Sequence, residues 1–85
     1  SMTIYASRPR RAEAVSWDGR NTAEVIAFAG EGNALIDSSG RFAVRGSGPG
    51  TWRDFSPGDW VIKDLSDGWV HLASPETFKR VWEIQ

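Results

Sequence analysis

The sequence predicts an α+β domain: a small, mostly antiparallel sheet of about five to six strands with one packed α-helix over residues 21–30. Three observations carry that reading. Short apolar runs alternate between turn signals at Asp18-Gly19, Ser38-Ser39-Gly40, Pro57-Gly58 and Asp67-Gly68. One segment, Asn21–Ala29, has helical spacing with its own start and stop. The 85 residues show no internal repeat or composition break, so 1–85 is read as a single domain.

Residues 3–9 read as extended, because Arg8 precedes Pro9 and a pre-proline residue is pushed out of the helical region. Arg11–Trp17 alternates as a strand and stops at Asp18-Gly19. Asn21 is placed to cap the helix, Glu24 follows three residues on as in a capping box, and Gly30 ends it. Val25, Ile26, Phe28 and Ala29 give that helix an apolar face, and a helix this short needs a sheet to pack on. Ala34–Asp37 and Arg41–Arg45 form a hairpin. Residues 46–50, Gly-Ser-Gly-Pro-Gly, read as a flexible loop, and Thr51–Phe55 as a brief strand. Trp60–Leu65 and Trp69–Ala73 make a second hairpin around Asp67-Gly68. Ser74 caps a short helical turn near 75–78 with Pro75 first, and Lys79–Ile84 closes as a strand. Phe78, Arg80, Trp82 and Ile84 then share a face.

Composition narrows the chemistry. A chain this short buries only about 60–65% of the surface its unfolded form exposes, so small domains often add a staple or a partner. There is no cysteine, which removes disulfides and thiolate metal sites, and the single His71 needs several carboxylates around it to hold a metal. No metal and no cofactor are expected, and self-association is the route left. The net charge of −1 argues against long nucleic acid as a partner. Eight of the ten basic residues are arginine, and residues 41–53 hold Arg41, Arg45 and Arg53 without an acid. The planar guanidinium fork matches phosphate and stacks on rings. No apolar run approaches the roughly 20 residues of a membrane span, and no signal-peptide pattern opens the chain. Ser1 ahead of Met2 reads as the remnant of a cleaved tag, with Met2 the native start.

The second hairpin fixes a set of faces. A two-residue Asp67-Gly68 turn would pair Leu65 with Val70 and Asp64 with His71. Val61, Leu65, Val70 and Leu72 then line a core face, and Trp60, Ile62, Asp64, Trp69 and His71 the other. That second face suits a nucleotide-stacking surface, a subunit interface or a second core layer, and Trp60 suits the core layer best. Catalysis finds little support: no G-x-S-x-G elbow occurs, and the 46–50 loop lacks the Lys-Ser/Thr of a phosphate-binding loop. A binding protein, not an enzyme, is expected. Trp17 and Arg20 bracket Asp18-Gly19 ahead of a helix N-terminus, whose free N–H groups favour anions. Trp52 and Arg53 repeat the indole–guanidinium pairing, Trp69 and His71 sit on the hairpin, and Arg10 and Arg11 are placed as phosphate partners. Indoles stack on bases at about 1–3 kcal/mol each. Trp and Arg also lead among protein-interface hot spots, so a protein partner stays open.

Three segments, Arg10-Arg11 with Trp17-Asp18-Gly19, Ser56–Lys63 (S-P-G-D-W-V-I-K) and Pro75–Phe78 (P-x-x-F), together resemble a family of short bacteriophage accessory proteins. The pattern is similar to that of the tetrameric anti-CBASS sponges, which counter a bacterial defence that signals with cyclic oligonucleotides. The resemblance spans nearly the whole chain. It departs at residues 46–53, where a Gly-rich insertion carries Trp52 and Arg53. It implies a homotetramer or other homo-oligomer in the cytoplasm of the infected host, capturing a cyclic di- or trinucleotide without cleaving it. The alternatives are a protein-binding inhibitor of a host factor, a signal-degrading phosphodiesterase and a small virion component.

Overall fold

Two three-stranded antiparallel sheets and two short helices carry the fold, an α+β arrangement. The computed structural model describes residues 2–3, 11–49 and 52–84. In chain order the elements are β1 (Met2–Thr3), β2 (Ala12–Ser16), α1 (Thr22–Ala29), β3 (Ala34–Ile36), β4 (Phe42–Arg45), β5 (Trp52–Asp54), β6 (Trp60–Asp64), β7 (Val70–Ala73), α2 (Pro75–Val81) and β8 (Glu83–Ile84). One sheet has the order β2-β6-β7, the other β3-β4-β5, and β1 pairs with β8. Beyond Thr3, the extended segment expected over residues 3–9 lies outside the described residues, as does Arg10.

Strand β6 is the axis of the molecule. Its neighbours Val61 and Ile62 are both fully buried, and since successive strand residues point to opposite faces they enter two different clusters. Val61 packs with Val25, Ala29, Phe42, Val44 and Phe55, which joins α1 and the β3-β4-β5 sheet to one face of β6. Ile62 packs with Ala12, Ala73, Phe78 and Trp82, which seats α2 on the other. Trp60 stacks flat on Phe78, with ring centroids 3.7 Å apart and planes 3° from parallel. It therefore belongs to a second core layer, under α2.

The second hairpin departs from the expected register. Val70 lies opposite Lys63 and His71 opposite Ile62, a slip of two residues, and Leu65 is exposed rather than core. The turn spans 64–69 because its carboxylates take up turn donors. Asp64 Oδ1 accepts from the Ser66 N–H (2.8 Å) and Oγ (2.6 Å), and Asp67 Oδ1 accepts from the Trp69 N–H (2.8 Å). An even slip returns each side chain to its own face, so Val61, Val70 and Leu72 still share one and Ile62 and His71 the other.

Helix α2 also corrects an expectation: Lys79, Arg80 and Val81 are helical, and the closing strand is only Glu83–Ile84. Ser74 Oγ accepts from the Thr77 N–H at 3.2 Å, Pro75 fills the first turn, and Lys79 and Arg80 face the negative end of the helix dipole. At α1 the cap is a network rather than a capping box. Asp18 Oδ1 accepts from the N–H groups of Arg20 (2.7 Å) and Asn21 (3.0 Å), while Asn21 Oδ1 accepts from the Asp18 N–H (2.9 Å). Those donated backbone bonds, Arg20's first, hold the Asp18 carboxyl below its ordinary range. No helix among the described residues is long and apolar enough to cross a membrane.

Candidate ligand-binding cleft

The cleft begins at the end of β4. Gly46 is buried against β7, where an added Cβ would stand 3.1 Å from Val70 O and 3.5 Å from Leu72 Cγ, so a side chain here would have to push the β7 backbone back by a few tenths of an ångström. Ser47 then locks onto the edge of β7: its N–H donates to Val70 O, and its Oγ accepts from the Val70 N–H, both at 2.8 Å. The first two residues of the 46–50 loop are thus held by the sheet. Chain reversal brings β5 back along β4, with Trp52 opposite Arg45 and Arg53 opposite Val44.

Gly46, Ser47, Trp52, Arg53, Val70, His71 and Leu72 line one cleft of about 350 Å³. Among the described residues it contains an indole, a guanidinium, an imidazole and a hydroxyl, and no acid. Trp52 is 44% exposed, and the Arg45 guanidinium lies 5.6 Å from its ring centroid. Arg45 is itself aimed by Asn33, whose Oδ1 accepts from Arg45 Nη2 at 2.7 Å and Nε at 3.2 Å. A second hollow of about 260 Å³, lined by Asn33, Arg45, Gly46, Ser47, Gly48 and Val70, adjoins the first across the Ser47 bridge. Arg53 Nη2 stands 4.0 Å from Asp59 Oδ1, and Asp59 is buried, its Oδ2 accepting from the Ser56 N–H at 2.9 Å. The turn at Pro57-Gly58 therefore positions a cleft residue through Asp59.

Of the residues picked from sequence, Trp52, Arg53 and His71 come together here. Trp17 and Arg20 lie elsewhere. Trp17 packs on Phe42 at 4.9 Å between centroids, and its Nε1–H donates to Thr22 Oγ1 at 3.0 Å, so this indole is engaged in the core. Arg20 is exposed at the entry to α1. Trp69 is 49% exposed on the 64–69 turn, outside the cleft lining. Arg11 lines a larger groove of about 820 Å³ between β2 and α1, with Glu13, Glu24, Phe28 and Lys63. Two cations face two anions there, which suits an anionic ligand less well than the acid-free cleft. Ser47 in the cleft and Arg45 beside it are polar groups that the sequence does not single out as site residues; Arg45 has a signal, the acid-free arginine run of 41–53.

One group could hold a cation. Asp64, Asp67 and His71 bring ligand atoms within 4.8 Å of one another among the described residues. Both carboxylates already serve as acceptors for the turn. Comparison of the chain with protein families, curated proteins and solved structures gives no match.

Proposed function

We propose that the chain is a non-catalytic binding protein that captures a small cyclic oligonucleotide, acting as a phage-encoded sponge for bacterial immune signals. On this reading it works in the host cytoplasm as a homo-oligomer, a homotetramer in the lineage that its sequence resembles, and its ligand is a cyclic di- or trinucleotide. The observation that carries the reading is the convergence of Trp52, Arg53 and His71, from β5 and β7, on one acid-free cleft beside Arg45. Trp52 offers a face to a base, the two arginines offer charge-assisted bonds to phosphodiester oxygens, and His71 and Ser47 offer polar contacts to base or ribose. A sponge needs affinity and copy number, and the cleft supplies the recognition chemistry for the first.

The experiment is titration calorimetry against cyclic di- and trinucleotides, with linear nucleotides as controls. One cyclic ligand should bind saturably and be recovered intact after denaturation. Trp52→Ala and Arg53→Ala should each weaken binding by about 10- to 100-fold, the equivalent of about 1.4–2.8 kcal/mol. Arg53→Ala should also flatten the salt dependence. Arg20→Ala and Trp69→Ala should stay within about twofold, because neither lines the cleft. No saturable binding of any cyclic ligand would sink the reading and point to a protein partner instead.

A further inference from the structure

We infer that β3 is a self-pairing edge: two copies of the chain join antiparallel through their β3 strands and make one six-stranded sheet, ordered β5-β4-β3-β3-β4-β5. This stands apart from the ligand reading: no β3 residue lines the cleft, and its test reads mass and cross-linking rather than ligand.

The backbone sets the geometry. The Arg45 N–H donates to Asn33 O at 2.7 Å, and the Asp37 N–H to Arg41 O at 2.9 Å. Bonded pairs alternate along an antiparallel ladder, so the Asn33 C=O, the Leu35 N–H and C=O and the Asp37 N–H point toward β4, while the Asn33 N–H donates to Gly30 O at 3.1 Å and the Asp37 C=O accepts from the Gly40 N–H at 3.0 Å. The N–H and C=O of Ala34 and Ile36 then point outward, and they meet no hydrogen-bond partner among the described residues. Leu35 is 45% and Ile36 56% exposed, on opposite faces of the same strand. Folded proteins usually guard such an edge with proline, lysine, a bulge or a covering loop. The stretch 34–36 contains none of these residues, and both of its large side chains are apolar.

The strand also complements itself. With a two-fold axis at Leu35, Ala34 faces the partner's Ile36 and Ile36 faces the partner's Ala34. Each is a pair of outward-pointing residues, so the two pairs exchange four backbone hydrogen bonds. A large side chain meets a small one, and Leu35 packs on the partner's Leu35. At each end Asn33 meets the partner's Asp37. The outer face then carries a row of Arg45, Asn33, the partner's Asp37 and the partner's Arg41, with no like charges opposed. Within one chain this row is already prepared, since Asn33 binds Arg45 and Asp37 Oδ2 lies 3.1 Å from Arg41 Nε. Moving the register by two residues would set Leu35 against the partner's Asp37 or Asn33, which disfavours both alternatives.

The test exploits the absence of cysteine in the sequence. In a non-bonded antiparallel pair the facing Cβ atoms are about 4.5–5.5 Å apart, close enough for a disulfide after slight adjustment. Leu35→Cys should cross-link to a covalent dimer in the majority of chains under mild oxidation. Glu31→Cys, in the exposed turn before the strand, should cross-link at less than about a tenth of that yield. Sedimentation of the unaltered chain should give at least twice the 9.4 kDa monomer mass. Ile36→Lys, at an exposed position, should halve that mass and abolish the Leu35→Cys cross-link while leaving the circular dichroism unchanged. A monomer at about 100 μM, or equal cross-linking of the two cysteine variants, overturns the proposal.

Discussion

Ile62→Ala is expected to lower the unfolding free energy by about 2–5 kcal/mol, a large share of the about 5–15 kcal/mol that a small domain holds. Ile62 is 1% exposed and contacts the cluster of Ala12, Ala73, Phe78 and Trp82. The site cannot readily collapse onto the lost methyls. Ala12 and Ala73 are held by the ladders on either side of β6, and Phe78 is held by its stack on Trp60. A residual cavity adds its own cost to the lost burial. Urea denaturation is the measurement, with an unchanged m-value as the sign that only stability moved. The melting temperature should fall by roughly 10 °C or more. Leu65→Ala is the contrast: at 56% exposure it should change stability by less than about 0.5 kcal/mol. Equal costs at the two positions would mean that the face of β6 turned toward α2 is not core.

That contrast marks where the sequence was legible and where it was not. Period-two alternation separated Val61 from Ile62, and it survives in the structure because the hairpin slipped by an even number of residues. Alternation does not say whether a second face is covered. Only α2, laid on Trp60 and Ile62, makes it core, and the sequence shows just its first turn, 75–78. Phe78, Arg80 and Trp82 alternate as a strand would, yet the Ser74 cap and Pro75 start a helix that continues to Val81. Leu65 was misplaced for a local reason: a two-residue turn was the simplest reading of Asp67-Gly68, whereas Asp64 and Asp67 together support a longer one.

The cleft was legible in residue type and illegible in assembly. Trp52, Arg53 and His71 stood out by their chemistry, but their meeting depends on Ser47 bridging to Val70, a contact over 23 positions of sequence. Trp17 has the same chemistry and serves the core instead. The segments Trp17-Asp18-Gly19, Ser56–Lys63 and Pro75–Phe78 meet in space, since the Gly58 N–H donates to Trp17 O at 2.7 Å and Trp60 lies on Phe78. They specify the scaffold. The cleft lining, Gly46, Ser47, Trp52, Arg53, Val70, His71 and Leu72, draws on none of those segments, so reading them gives the scaffold and not the site.

Gly58→Ala tests that division, with an expected loss of about 2–4 kcal/mol from two separable causes. Gly58 has φ +102°, a region that side chains avoid. A Cβ there would also stand 2.9 Å from Pro75 Cγ, a rigid ring fixed at the start of α2. Gly40→Ala isolates the first cause. Gly40 has φ +88° with nothing within 4 Å of its Cβ position, so it should lose only about 1–2 kcal/mol of backbone strain. Pro75→Ala should then relieve part of the clash, so that the double variant is more stable than the sum of the single losses by about 1 kcal/mol. The effect should reach the cleft as well. Asp59 follows Gly58 and lies 4.0 Å from Arg53, so a displaced turn moves the carboxylate that faces this guanidinium. Calorimetry on folded Gly58→Ala should show weaker ligand binding, while Gly40→Ala, in the turn between β3 and β4 and outside the cleft lining, should bind normally. If Gly58→Ala matched Gly40→Ala in both stability and affinity, the contact with Pro75 would carry no energy and the turn would not position the cleft.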